Sequence, residues 1–324
     1  MLNTIDIFTK LGERLAQFGK STESIALMER AVAENSWFTH EDIERAVKAI
    51  CDEMLCRDKL SAWLAKYSPT TEPKRVAVIM AGNIPLVGFF DLLCVIASGH
   101  ECHLKPSSKD RVLMQYIVEQ LLDIEPTIAI YDYSSTDHYD MAIATGGEDA
   151  NRYFSEHFAS TRRLLRGSRH SIAVLTGMES EEELVLLNSD ITAYSGLGCR
   201  SVSMLFTPRG KRPNIVATKA ANRKLERNIA SIRALMTMQQ RPYIDCGAYL
   251  LVDSEKFTES LALVALREYD DIKDVKVWIE ENRDSIQCIV SNAGIEESVA
   301  FGRAQYPTLW DYADGVDTMR FLLG

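Results

Sequence analysis

Val76-Ala77-Val78-Ile79-Met80-Ala81-Gly82-Asn83-Ile84-Pro85 decides how this chain of 324 residues folds. Six apolar residues in a row describe a strand covered on both faces, as in a parallel sheet. Gly82-Asn83 turns the chain. Pro85 suits a helix start, because its ring presets φ and its missing N–H is not needed there. The apolar run on to Ser98 then reads as a buried helix stopped by Gly99. A strand feeding straight into a helix is the repeating unit of an α/β fold.

The same alternation continues downstream. Cys102-His103-Leu104 reads as a second strand, Lys105-Pro106-Ser107-Ser108 as a turn, and Asp110 to Leu122 as a helix. Thr127 to Tyr131 and Met141 to Thr145 read as the third and fourth strands, Gly146-Gly147 opens a helix through Phe158, and Ser171 to Leu175 reads as the fifth strand. Parallel sheets of this kind bind ligands beyond the carboxyl ends of their strands. That singles out the turns carrying Asn83, Lys105 and Gly146-Gly147. Upstream, residues 1–66 read as helices, one capped by Ser21 or Thr22 and another opened by His40-Glu41-Asp42, whose acidic first turn suits the helix dipole. From residue 177 a second region is expected, with strands at Met204 to Thr207, Ala248 to Val252, Val275 to Trp278 and Gln287 to Ser291. Its helices are placed at 214–238 and 255–266. The expected division is a helical segment over 1–66, a dinucleotide-binding domain over 67–176, a catalytic domain over 177–299 and a tail over 300–324.

Composition narrows the function. The net charge of −10 argues against a general nucleic-acid or anionic-membrane binder, though not against a small anionic ligand at a local site. The most apolar window, Ile84 to Ser98, is too short for a membrane span and carries Asp91. The N-terminus lacks the pattern of a signal peptide. Seven scattered cysteines do not make a disulfide framework, so they are read as reduced and the protein as cytoplasmic. His100, Cys102 and His103 are packed too closely for good ligand geometry, and strand alternation points His103 away from Cys102. The acidic run Asp311 to Asp317 lacks calcium-loop spacing, so no metal is expected. The basic residues Lys219, Arg223, Lys224, Arg227 and Arg233 read as a solvated helix face.

The chemistry concentrates in Tyr194-Ser195-Gly196-Leu197-Gly198-Cys199-Arg200-Ser201. Glycines allow a tight turn and close approach to a bound group. A free cysteine is often only a small buried apolar residue. On a glycine turn beside a cation it is instead a candidate thiolate nucleophile. Cys246 and Cys288 fall in or beside strands and read as core. Asn83 serves either as a helix cap or as an amide donor to a developing oxyanion. Lys105 is either a surface lysine or a cation for a ribose or phosphate. Gly146-Gly147 would let a helix N-terminus approach phosphates, although no G-x-G-x-x-G fingerprint is present.

In order, Gly82-Asn83-Ile84-Pro85, Lys105-Pro106-Ser107, Gly146-Gly147 and Gly198-Cys199 resemble the aldehyde dehydrogenase superfamily. Within it, Gly-Leu-Gly-Cys-Arg followed by Ser-Val-Ser is most similar to the long-chain acyl-CoA reductases, the LuxC-type component of bacterial luminescence operons. The spacing of 22 residues from Asn83 to Lys105 and the closing Ala313-Asp314-Gly315-Val316-Asp317 agree with this, and the resemblance covers roughly residues 75–324. It implies an aldehyde-dehydrogenase-like α/β fold, with a Rossmann-type parallel-sheet cofactor domain and a smaller α/β domain bearing the cysteine. It implies Cys199 as acyl-accepting nucleophile, with Asn83 and the Cys199 N–H as oxyanion donors. It also implies that Lys105, Ser107, Ser108, Gly146 and Gly147 bind the cofactor. Ser108, where NAD-preferring members often carry a glutamate, leaves room for a 2′-phosphate beside Lys109. That favours NADPH, with NADH as the alternative.

Oxidising aldehyde dehydrogenases carry a glutamate base that activates water. The nearest segment here, Leu165-Arg166-Gly167-Ser168-Arg169-His170, has no carboxylate. The resemblance therefore implies reduction of an acyl-CoA or other acyl thioester to an aldehyde, in a homo-oligomer. Alternatives are reduction of an acyl phosphate or carrier-bound acyl group, a cysteine-dependent acyltransferase or thioesterase without hydride transfer, and a non-catalytic nucleotide-binding protein.

Overall fold

The computed structural model describes residues 3–324, which divide into two compact units. One comprises the described residues up to 168 together with 306–324, and the other residues 169–305.

The first unit opens with four helices, α1 (Thr4–Leu15), α2 (Thr22–Glu34), α3 (His40–Met54) and α4 (Arg57–Leu64). Ser21 and Thr39 cap α2 and α3 through their side chains. Then come β1 (Arg75–Ile79), α5 (Phe89–Ser98), β2 (Glu101–Lys105), α6 (Arg111–Ile124), β3 (Ile130–Asp132), β4 (Met141–Thr145), α7 (Glu148–His157) and β5 (Arg162–Arg166). The strands form one parallel sheet in the order β3-β2-β1-β4-β5. The order reverses between β1 and β4, which makes the carboxyl ends of these two strands a topological switch point. The helical N-terminus shares one core with this sheet, in which Phe8, Leu11, Leu60 and Trp63 pack with Val76, Val78, Phe89 and Leu92.

The second unit contains β6 (His170–Val174), α8 (Glu181–Thr192), β7 (Val202–Pro208), α9 (Arg223–Met238), β8 (Ile244–Asp245), β9 (Leu250–Asp253), β10 (Leu263–Tyr269), α10 (Ile272–Glu281) and β11 (Ile286–Ser291). Its sheet runs β11-β6-β7-β10-β9-β8, parallel except for the short β8–β9 pair. The last residues return to the first unit, where α11 (Thr318–Leu323) lies against α5.

Several elements depart from the sequence reading. The strand read at Ser171 to Leu175 belongs to the second sheet, between β7 and β11. The fifth strand of the first sheet is β5, whose outer residues Arg162 and Arg163 are exposed and hide the strand pattern. The helix expected from Ile84 starts at Phe89, because Leu86 is left-handed (φ 55°) and breaks the helical run. The helix expected over 214–238 begins only at Arg223, where Asn222 caps it. Residues 255–262 are irregular and lead into β10. Val275 to Trp278 lies in α10, where Val275 and Ile279 bury one helical stripe and Asp271 caps the start. Periodicity over four residues does not separate these two outcomes.

Candidate active site

Cys199 sits between α8 and β7, at a central position of a turn closed by Ser201 N–H donating to the Gly198 carbonyl at 2.9 Å. The three residues Tyr194, Ser195 and Gly196 before it all have positive φ, at 54°, 57° and 74°. For the two non-glycine residues this conformation costs on the order of 1–3 kcal/mol each, and it persists only where the surroundings enforce it. Asn222 Nδ2 donates to Ser195 Oγ at 2.8 Å, while the Asn222 Oδ1 caps α9 by accepting from Leu225 N. Ser171 Oγ donates to the Cys199 carbonyl at 2.8 Å. Gln305 Nε2 donates to Ser201 Oγ at 3.2 Å. The turn is therefore braced from β6, α9 and the segment after β11. The Arg200 guanidinium, expected to act as a cation beside the thiol, donates to the Ala304 carbonyl and to Cys288 Sγ, so it braces the turn as well.

The other cysteines differ from Cys199. Cys94, Cys102, Cys246 and Cys288 are buried, as expected for core thiols. Burial pushes the Cys51 thiol up to about 11, well away from thiolate formation at neutral pH. Cys56 is exposed and Cys199 is half-buried.

The cofactor candidates all lie at the carboxyl end of the first sheet. Asn83 is exposed in the turn after β1, Lys105 ends β2, and Gly147 caps α7 just past β4. A Cβ on Gly82 would sit 2.6 Å from both Cβ and Oγ of Ser107. The glycine thus lets the turns after β1 and β2 touch, and it brings the Asn83 turn against the Ser107–Ser108 turn. Lys105 Nζ lies 5.6 Å from the centre of the Tyr133 ring, at the end of β3. Ser108 and Lys109 are exposed.

Asp110 was not singled out from the sequence, where it looks like an ordinary helix start. It is 2% exposed, its Oδ2 accepts the Leu86 N–H at 2.8 Å, and its Oδ1 has no partner. It thereby ties the Asn83–Leu86 turn to α6. Burial pushes its carboxyl well above the usual 3.8. The native state therefore holds this proton more tightly than the unfolded chain. The stability this contributes is complete below pH 3.8 and is lost as pH rises through the native value. Asp110→Asn keeps an acceptor for Leu86 and carries no charge. We expect it to gain on the wild type as pH rises, by roughly 1–3 kcal/mol at pH 7.5, and much less near pH 4.5. Urea unfolding at the two pH values measures this, and an equal difference at both would refute it.

Residues 165–170 have structural partners. Arg166 is buried, its Nη1 paired with both oxygens of Asp91 on α5 and its Nη2 donating to Thr318 Oγ1 at 2.8 Å. Its carbonyl accepts the Gly146 N–H at 3.1 Å and Asn151 Nδ2 at 3.0 Å. His170 stacks on Phe257 with ring centres 4.1 Å apart, and Nδ1 faces Ser203 Oγ at 3.2 Å. Burial lowers its pKa, which favours the neutral ring.

A family model described as acyl-CoA reductase (LuxC) matches residues 9–229. The long-chain acyl-protein thioester reductase of Photorhabdus laumondii is 23% identical over 277 residues, covering 79% of this chain and 53% of that protein. Long-chain acyl-protein thioester reductase 2 of Photobacterium leiognathi is 26% identical over 153 residues, covering 41% of this chain and 32% of its own length. The chain spans about half the length, or less, of these curated relatives. Among solved structures, an aldehyde dehydrogenase from Bacillus cereus in an NAD+ complex superposes with a TM-score of 0.60 at 13% identity, covering 91% of this chain and 73% of that one. An acetylating aldehyde dehydrogenase from Geobacillus thermoglucosidasius gives a TM-score of 0.62 at 11% identity, covering 94% and 85%. Likeness at this level of identity shows a shared fold.

Proposed function

The chain belongs to the acyl-CoA reductase (LuxC) family, and from that premise we propose that it reduces an acyl thioester, with an acyl-CoA as the donor, to an aldehyde through an acyl group held on Cys199. The observation that carries this reading is the braced, left-handed approach to Cys199, which holds backbone strain at the one half-buried cysteine on a glycine turn. Strain enforced by surrounding hydrogen bonds is a mark of a functional site.

The parts of the first sheet suit a dinucleotide. The switch point between β1 and β4, the cradle that the absent Cβ of Gly82 opens against Ser107, and exposed Lys105 are the features such a cofactor requires. Lys105, Ser107, Ser108, Gly146 and Gly147 are the residues proposed to hold it. Ser108 beside Lys109 favours a 2′-phosphate, hence NADPH. A bound nicotinamide supplies hydride.

The Cys199 sulfur attacks the thioester carbonyl, the tetrahedral oxyanion collapses, and CoA leaves as the thiol. Asn83 is the proposed side-chain donor to the oxyanion, a role typically worth about 3 kcal/mol. After reduction the thiohemiacetal on Cys199 breaks its C–S bond, releasing the aldehyde and restoring the thiol. Splitting the reaction at a covalent intermediate replaces one hard step by two easier ones. Leu165 to His170, the nearest segment to the one in which the resemblance expects a water-activating glutamate, holds the stacked His170 and the ion-paired Arg166 and no carboxylate. That supports reduction over hydrolysis of the acyl-enzyme. A cytoplasmic, homo-oligomeric protein is part of the same reading.

The test is NADPH consumption against a panel of acyl-CoAs, with the aldehyde trapped as a hydrazone. Acyl-CoA-dependent oxidation of NADPH with stoichiometric aldehyde is expected. Turnover only with acyl phosphate, or thioester cleavage with no dinucleotide consumed, would overturn it.

A further inference from the structure

The basic residues near α9 are arranged differently from the solvated helix face that the sequence suggested. Because α9 begins at Arg223, Lys219 lies in the preceding loop, and Arg223, Lys224 and Arg227 fall in the first two turns. Four cations and one carboxylate, Glu226, occupy residues 219–227 of a chain whose net charge is −10. All four cations are exposed. Elsewhere in this unit, Arg209, Arg212, Arg233 and Arg267 are each paired with a carboxylate, and the exposed Lys211, Arg241, Lys256, Lys273 and Lys276 are spread over separate segments rather than gathered in one. Among the described residues, Lys219, Arg223 and Arg227 make no ion pair.

The position also opposes the helix. Cations at a helix N-terminus face the positive end of the macrodipole, which disfavours them. Local choices that conflict with the fold mark places where function overrides stability. An anion at this point would be attracted by the cations and by the positive end of the helix dipole together.

The cluster is joined to the nucleophile turn. Asn222 precedes Arg223, caps α9 and hydrogen-bonds Ser195, four residues before Cys199. The loop before it is fixed by Asn188 Nδ2 donating to the Val216 carbonyl and by Thr218 N donating to the Cys246 carbonyl at 3.0 Å. The cations are therefore mounted on a held segment rather than on a loose one.

We propose that Lys219, Arg223, Lys224 and Arg227 form the binding site for the phosphates of the acyl donor, the 3′-phosphate and diphosphate of a CoA thioester. The inference rests on the acyl-thioester reading of Cys199. It adds that the donor is selected by its anionic nucleotide end as well as by its acyl chain.

The test compares octanoyl-CoA with octanoyl-pantetheine, which carries the same thioester and no phosphate. In Lys219→Gln/Arg223→Gln/Arg227→Gln, the KM for octanoyl-CoA is expected to rise about tenfold, as for several partly exposed charge contacts. The KM for octanoyl-pantetheine should move less than twofold, and raising salt should weaken octanoyl-CoA only in the wild type. Calorimetry with CoA alone should show the same loss while NADPH affinity is kept. Equal KM values for octanoyl-CoA in both proteins, equal losses on both donors, or a loss confined to an acyl carrier protein thioester would each overturn the proposal. Wild-type protein that binds CoA at this cluster and reduces no thioester would overturn the reduction reading and leave the site standing.

Discussion

Cys199→Ser is expected to abolish both acyl-adduct formation and aldehyde production, lowering turnover by about 10⁴-fold or more. A serine in the same turn keeps the shape and loses the thiolate, and no alkoxide forms there at neutral pH without a strong base. The strained segment Tyr194–Gly196 and its braces from Asn222, Ser171 and Gln305 do not depend on the sulfur, so the variant should fold as the wild type does and keep whatever affinity the wild type has for the proposed dinucleotide. Mass spectrometry after incubation with acyl-CoA provides the direct readout. Cys56 is the control, because it is exposed and lies outside any braced turn. Cys56→Ser should retain the adduct and full activity. An adduct that survives Cys199→Ser, or activity within tenfold of the wild type, would remove Cys199 from the mechanism.

The parallel α/β architecture was legible in the sequence where strands are buried on both faces. Val76 to Met80 and Met141 to Ala144 are buried without a break, and these runs supply β1 and β4. Elements that carry charge or sit at a margin were not legible. β5 presents two arginines outward and buries Leu164, so its pattern resembles a loop. Val275 to Trp278 alternates like a strand, but Asp271 and the Val275–Ile279 stripe make it a helix. For the candidate site, glycines gave away the turns at Cys199 and Gly82. The left-handed Tyr194 and Ser195 left no trace, since neither residue type advertises that conformation. Asp110, Ser171 and Asn222 act across 24, 28 and 27 residues of sequence, and such partners emerge only from tertiary packing.

Asp91→Ala is expected to destabilise the first unit by about 3–5 kcal/mol, because it removes the carboxylate paired with the buried Arg166 guanidinium and leaves it only the weaker attraction of Asp314. Both side chains are almost wholly buried, so added salt should rescue little. The consequence should extend to the cofactor end of the sheet. Arg166 is the last residue of β5, and its carbonyl holds the Gly146 N–H and the Asn151 amide at the start of α7. If the ion pair sets the position of β5, hydrogen exchange should rise across residues 144–151 as well as in β5, and NADPH should bind more weakly. The contrasting variant is Asp91→Leu/Arg166→Met, which removes both charges and fills the space with apolar groups. Exchanging a buried pair for packed hydrophobes is often neutral or stabilising. The double variant should therefore recover most of the stability lost by the single one, while Thr318 Oγ1 loses its partner and α11 exchanges faster. Urea unfolding of the two variants, with exchange read peptide by peptide, decides the matter. A loss below about 1 kcal/mol in Asp91→Ala would mean that Arg166 finds another partner or water, and that the pair does not anchor the Gly146 turn.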